Sequence, residues 1–78
     1  MNCDCGNAHY DTSVTENRSE GYAGLELHRT VNGRKNRVAR VLFWDASGQF
    51  FFETFNTDLP VSIVEEFIAE AKASVKTQ

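Results

Sequence analysis

The sequence predicts a small α+β domain: a three-stranded antiparallel β-meander of order 1-2-3, packed on one face by a C-terminal α-helix (β-β-β-α). Three observations predict this fold. Segments rich in β-branched and aromatic residues fall between residues 22 and 55. Two short turn sequences separate these segments, and a stripe of apolar residues at helical spacing follows them. With 78 residues, the chain is long enough for one modest hydrophobic core, so we expect a single domain.

The first part of the chain is expected to stay outside this domain. Residues 1–20 are mostly polar, and Tyr10 and Val14 are their main apolar side chains. A segment with so little to bury is typical of a flexible tail. We therefore predict a flexible N-terminal tail over residues 1–20 and one β-β-β-α domain over residues 21–78.

The predicted strands are bounded by their turns. The first strand runs from about residue 22 to 31 and ends at Asn32-Gly33, a pair suited to a type I′ hairpin turn. The second runs from residue 37 to 45, and Asp45-Ala46-Ser47-Gly48 follows as a turn. The third runs from residue 49 to 55. Apolar residues at steps of three and four then predict a C-terminal amphipathic helix: Val64, Phe67, Ile68, Ala71 and Val75.

Side-chain alternation assigns the strand residues to two faces of the sheet. With Ala46-Ser47-Gly48 as a three-residue loop, Trp44 lies opposite Phe50. With a two-residue turn at Asn32-Gly33, Leu27 lies opposite Val38. The face predicted beneath the helix then carries Ala23, Leu25, Leu27, Val38, Leu42, Trp44, Phe50 and Phe52.

The opposite face is the predicted partner-binding surface, because it holds exposed rings that a monomer seldom leaves in water. Its apolar members are Tyr22, Val41, Phe43, Phe51 and Phe55. Pairing with a second copy needs the fewest assumptions, since two-fold dimers are the commonest oligomers. The chain is therefore expected to be a non-enzymatic interaction domain that forms a homodimer. The N-terminal tail, another protein or a stacked ligand are the alternative occupants.

A small nucleic-acid-binding module is the alternative function. Five of the eight Lys and Arg residues fall within residues 29–40, and no acidic residue lies among them: Arg29, Arg34, Lys35, Arg37 and Arg40. Some DNA-binding domains place strands in the major groove, and exposed rings can stack on unpaired bases. The simpler interpretation is a solvated hairpin whose charges discourage aggregation.

Metal binding and catalysis are not predicted. Cys3, Cys5 and His9 are residue types that bind zinc, but the second cysteine pair of a zinc ribbon is missing. No phosphate-binding glycine loop, nucleophile elbow or His-Glu-x-x-His sequence occurs, so we expect neither an enzyme nor a cofactor.

Charge and hydropathy set the expected location. The net charge of −3 and isoelectric point near 5.2 give no overall attraction to nucleic acid or to an anionic membrane. No apolar run approaches the length of a membrane span, and the N-terminus does not resemble a secretory signal. We therefore expect a cytoplasmic protein without a membrane partner.

Overall fold

The computed structural model describes residues 1–55 and 57–74, which form one antiparallel sheet and one helix. The strands are β1 Asn2–Cys5, β2 Ala8–Asn17, β3 Tyr22–Val31, β4 Arg34–Trp44 and β5 Gln49–Thr54, and the helix is α1 Val61–Ser74. The strands are hydrogen-bonded in the order β1-β2-β3-β4-β5. The α+β class is confirmed. The three-stranded meander is wrong, because two further strands precede it.

These two strands occupy the segment predicted to be a flexible tail. β1 and β2 form a hairpin in which Cys5 pairs with Ala8 across the two-residue turn of Gly6 and Asn7. Gly6 has a φ of 62°, a conformation that glycine adopts without strain. Ala8 and Tyr10 alternate with polar residues and are buried against the core. The tail prediction is therefore wrong, since two buried residues at strand spacing accompany a good hairpin turn.

The β3–β4 hairpin begins as predicted and then changes register. Asn32 and Gly33 have φ values of 52° and 78°, and Val31 pairs with Arg34. Beyond His28 and Arg37 the pairing shifts, so that Leu27 faces Ala39 instead of Val38. Val38 is thus an extra residue in β4, a β-bulge that moves every later pair by one position.

The β4–β5 hairpin has a longer loop than the sequence suggested. Trp44 pairs with Gln49, so the loop contains residues 45–48. Phe43 consequently faces Phe50, and Val41 faces Phe52. The predicted faces of β4 are therefore wrong: Val41 and Phe43 share the face of Leu25, while Leu42 and Trp44 lie on the other.

Helix α1 covers the face that carries Leu25, Leu27 and Val41, which we call the helix-side face; the other is the open face. The largest fully buried side chains are Phe67, Leu27 and Val38. On α1 the buried positions are Ile63, Phe67 and Ala71, with Ile68 packed beside them. Phe67, Ile68 and Ala71 of the predicted stripe thus contact the core, and Val75 lies outside the described residues.

Glu70, on the flank of α1 away from Ile68, binds the N-terminus just before β1 and the middle of β2. Its carboxylate lies 2.9 Å from the Met1 ammonium and accepts a 2.7 Å hydrogen bond from the Thr12 hydroxyl. Burial alone would raise the pKa of Glu70, but these hydrogen bonds and the ammonium charge lower that pKa below its ordinary value. The ionised carboxylate therefore stabilises the packing of α1 on β1 and β2. Within the described part of the chain, no helix is long and apolar enough to cross a membrane.

Candidate protein interface

Among the described residues, the two aromatic side chains that are exposed both lie on β5. β5 is the last strand of the sheet, so it pairs only with β4 in the described structure. Phe51 and Phe52 are 52% and 45% exposed. Exposed sheet edges commonly carry Pro or Lys, which oppose pairing with another strand. The sequence of β5, Gln-Phe-Phe-Phe-Glu-Thr, has neither, and its one charged residue, Glu53, is paired with Arg40 of β4. We call residues 49–54 the β5 edge.

The backbone of the β5 edge offers hydrogen-bonding groups to a further strand. The Phe55 amide donates to the Val38 carbonyl at 3.1 Å, so residue 55 points its backbone groups toward β4. In an antiparallel ladder these groups alternate in direction. Those of Phe51 and Glu53 therefore also point toward β4, and those of Phe50, Phe52 and Thr54 point outward. The outward set forms a ready template for strand addition.

A groove of about 220 Å³ lies between the β5 edge and α1. We call it the β5 groove, and it is lined by Val41, Phe50, Phe51, Phe52, Ile68 and Lys72. Phe50 and Phe52 share the helix-side face with Val41, and the ring of Phe50 meets that of Phe43 edge-on at 5.1 Å. Ile68 and Lys72 lie one helical turn apart and form the other wall. The floor is thus aromatic, and Lys72 supplies the one charged side chain of the lining.

The other edge of the sheet is less suited to pairing. β1 has four residues, and its central Asp4 places a carboxylate beside the edge. The Asp4 carboxylate also accepts a 2.8 Å hydrogen bond from Nδ1 of His9, so this pair keeps polar groups there. Short, charged edges discourage strand addition. Of the two edges of the sheet, β5 is therefore the one that carries exposed apolar side chains.

The residues predicted to bind a partner are dispersed by the observed register. Val41 and Phe43 are 2% and 7% exposed and lie on the helix-side face. The ring of Tyr22 packs against that of Trp44 at 4.9 Å with a tilt of 54°, and the ring of Phe55 lies under the Arg37 guanidinium at 4.6 Å. Phe51 is the member of the set that is both apolar and strongly exposed. Whether these residues bind a partner stays a prediction.

Sequence reasoning missed Phe52 and the helical wall of the groove. The sequence pattern places Phe52 on the helix-side face, which is correct, and predicts that the helix covers it. The signal that was available is topological: the last strand of a meander is an edge strand, and a single helix cannot cover the full width of the sheet. Ile68 was predicted to belong to the core stripe. Its position at the margin of that stripe exposes one side of it to the groove.

The predicted nucleic-acid residues mostly form ion pairs across strands. On the open face Lys35 lies 3.3 Å from Asp11 and Arg37 lies 2.8 Å from Glu26. Arg40 is paired with Glu53. The remaining two residues of the set are separated, since Arg29 is beside Tyr10 on the helix-side face and Arg34 is at the hairpin turn. Carboxylates beside the cations weaken attraction to phosphates, and nucleic-acid binding stays a prediction.

The cysteines and His9 lie on opposite faces of the β1–β2 hairpin. Cys3 and Cys5 alternate with Asp4, which pairs directly with His9. Asp4 and His9 therefore share one face, and the two thiols share the other. Among the described residues, no group of three His, Cys, Asp or Glu side chains is arranged to hold a metal ion. The three sequence candidates are thus not brought together.

A serine and a histidine meet on the open face, but not in the geometry of a catalytic triad. The Ser13 hydroxyl lies 3.0 Å from Nε2 of His28, and the Glu26 carboxylate lies 3.7 Å from the same nitrogen. In a triad the acid holds Nδ1 and leaves Nε2 for the nucleophile. Glu26 is also bound by Arg37, so this cluster is better described as part of the cross-strand polar network.

No protein-family model, curated protein or solved structure matches this chain. The interpretation of the site therefore depends on its geometry: an aromatic edge strand, outward backbone groups and an adjoining apolar groove.

Proposed function

We propose that this chain is a small non-enzymatic interaction domain that self-associates as a homodimer through the β5 edge and the β5 groove. The observation that carries the proposal is the exposure of Phe51 and Phe52, 52% and 45%, on a strand whose outer backbone groups point away from the sheet. A second strand added at this edge would cover the apolar rings and would form hydrogen bonds with the outward backbone groups. The proposal differs from the sequence-based one in its surface, since Val41 and Phe43 are buried.

The expected affinity is moderate. A phenylalanine buries about 150–250 Å², so a half-exposed ring leaves about 100 Å² to cover. Four such rings in a dimer give about 400 Å², or about 10 kcal/mol at 25 cal/mol per Å². Association costs about 4–15 kcal/mol in lost freedom, so the net energy depends on the added backbone hydrogen bonds. Measurements should therefore span protein concentrations of about 1–100 µM.

Light scattering on the wild type and two variants tests the proposal. We expect twice the chain mass at low salt and at about 0.5 M salt, because burial of rings is not screened by ions. Phe51→Asp and Phe52→Asp should each give a folded monomer, since a carboxylate would be desolvated at the interface. The matched control is Val14→Asp: Val14 is 77% exposed, and β3 and β4 separate its strand from β5.

The outcomes separate the proposal from its alternatives. A dimer that survives both Phe51→Asp and Phe52→Asp would place the interface elsewhere and overturn the proposal, and loss of the dimer in Val14→Asp would place it near β2. A monomeric wild type would overturn self-association and favour a different protein as partner. Retention on a polyanion that falls steeply with salt would favour the nucleic-acid alternative.

We also propose a cytoplasmic location. Cys3 and Cys5 are both free thiols. Free thiols persist in reducing compartments and are commonly oxidised outside them. Fractionation of cells that express the chain would test this location directly, and recovery of the chain outside the cytoplasm would contradict it.

A further inference from the structure

We infer that the two copies join β5 to β5 in antiparallel pairing, with Phe51 on the two-fold axis. The inference rests on the proposed self-association and adds the register of the partner strand. A two-fold axis perpendicular to the sheet keeps the helix-side faces of both copies on one side. Two five-stranded sheets then become one continuous sheet, and both β5 edges are removed.

Alternation restricts the allowed registers. Residues directly opposite each other in a continuous sheet point to the same face. Phe51 and Glu53 point to the open face, whereas Phe50 and Phe52 point to the helix-side face. A symmetric pair therefore centres on one residue opposite its own copy. Centring on Phe51 or Phe52, in the middle of β5, gives the longest overlap of the two strands.

The Phe51 register fits the outward backbone groups. Phe50 lies opposite Phe52 of the second copy, and both have outward N–H and C=O groups, so each such pair exchanges two hydrogen bonds. Symmetry repeats this pair, which gives four ladder hydrogen bonds. Phe51 then forms the central non-hydrogen-bonded pair, in which side chains come closest.

Side-chain chemistry favours this register over the alternative. The Phe51 register gives three aromatic pairs across the interface and places Gln49 opposite Glu53, where an amide can donate to a carboxylate. The Phe52 register gains two ladder hydrogen bonds, each a modest net contribution. It loses two aromatic pairs of similar total value and sets Phe51 against the Glu53 carboxylate, which Arg40 already binds. The carboxylate decides between registers that are otherwise balanced.

The same register completes the β5 groove. With both helices above one side of the joined sheet, the groove of each copy opens toward the other copy. Phe52 of the second copy lies beside Phe50, which lines the groove together with Ile68 and Lys72. The partner ring therefore covers apolar surface that α1 leaves exposed, and the groove is incomplete without the second copy.

Disulfide formation tests the register. In a Cys3→Ser/Cys5→Ser background, Phe51→Cys places two thiols on Cα atoms about 4.5 Å apart, within disulfide range. In Phe52→Cys the two Cα atoms are about 8–9 Å apart, which combines the strand spacing with two residues of offset. We expect a mild oxidant to cross-link Phe51→Cys rapidly and Phe52→Cys slowly or not at all, at concentrations where light scattering shows a dimer.

A second pair of variants leaves all the rings in place. Gln49→Cys mixed with Glu53→Cys should give a heterodimeric cross-link, because these positions face each other only in the Phe51 register. Rapid cross-linking of Phe52→Cys instead would overturn the register and leave self-association intact. A dimer with no cross-link at any of these positions would overturn edge pairing, and a monomeric wild type would overturn self-association itself.

Discussion

Replacing Gly24 with alanine should destabilise the fold more than its small size suggests. A Cβ atom at Gly24 would lie 2.9 Å from the carbonyl carbon of Val41 and 3.0 Å from Cα of Leu42, and would also meet the Val41 carbonyl oxygen. The position is buried in β3, directly opposite Leu42. Glycine is needed there because two backbones approach closely, and the φ of Gly24 is not in the left-handed region.

The magnitude follows from the distances. Ordinary contacts begin at 3.4 Å, and the Val41 carbonyl carbon would lie at 2.9 Å. Relieving this contact alone requires the two hydrogen-bonded strands to move apart by 0.5 Å (3.4 − 2.9). Overpacking typically costs about 1–3 kcal/mol, and the obstacle here is backbone instead of a flexible side chain. We therefore expect a loss of about 3 kcal/mol or more. For a domain of this size, that loss lowers Tm by about 12–24 °C.

Thermal and urea unfolding, followed by circular dichroism and Trp44 fluorescence, measures this loss. The control is Gly33→Ala, where no atom lies within 4 Å of the added Cβ and the φ of 78° supplies the only strain. Left-handed backbone costs a non-glycine residue about 1–2 kcal/mol. If Gly24→Ala costs no more than Gly33→Ala, the close approach of β3 and β4 is wrong.

Three further variants test the packing and the ion pairs. Phe67→Ala should cost about 3–5 kcal/mol in urea unfolding, because Phe67 is fully buried between α1 and the sheet, and a loss below about 1 kcal/mol would contradict that placement. Glu70→Gln should flatten the acid limb of the stability profile. The lowered pKa of Glu70 adds stability at neutral pH that is lost as pH falls through the folded-state pKa, so wild type and variant should converge once the pH is below that pKa. A constant difference between them at all pH values would refute the ionic role of Glu70 toward Met1. Lys35→Gln should change stability by less than about 1 kcal/mol, since its pair with Asp11 is exposed, and a larger loss would show that the open-face ion pairs act as a coupled network.

The sequence predicted the segments with strong local signals and missed those that depend on their neighbours. The Asn32-Gly33 turn, the strands on either side of it and the helix around Phe67 were recognisable from turn chemistry and periodicity. The β1–β2 hairpin was missed because its residues are mostly polar, although Gly6-Asn7 is a recognised hairpin pair. Its neighbours hold it in place: β2 pairs with β3, and Ala8 and Tyr10 are buried in the core, which one segment considered alone does not reveal.

Register was the least predictable feature, and it determines the site. Val38 is the extra residue of the bulge, and nothing in the sequence around it distinguishes a bulge from a regular pair. Moving β4 by one position placed Val41 and Phe43 in the core and left Phe51 as the strongly exposed ring of the predicted partner-binding set. The abundance of phenylalanine predicts exposed rings, and Phe51 and Phe52 are exposed, whereas locating these rings required the pairing of β4 with both neighbours.

Amide hydrogen exchange as a function of protein concentration tests self-association through the β5 edge most directly. The amides of Phe50 and Phe52 point outward, so in a monomer they should exchange rapidly, while those of Phe51 and Glu53 are protected by β4. We predict that raising the concentration through the dimerisation range slows exchange at Phe50 and Phe52 and leaves the β1 edge unchanged. Rapid exchange at both positions in a sample that light scattering shows to be dimeric would contradict the account.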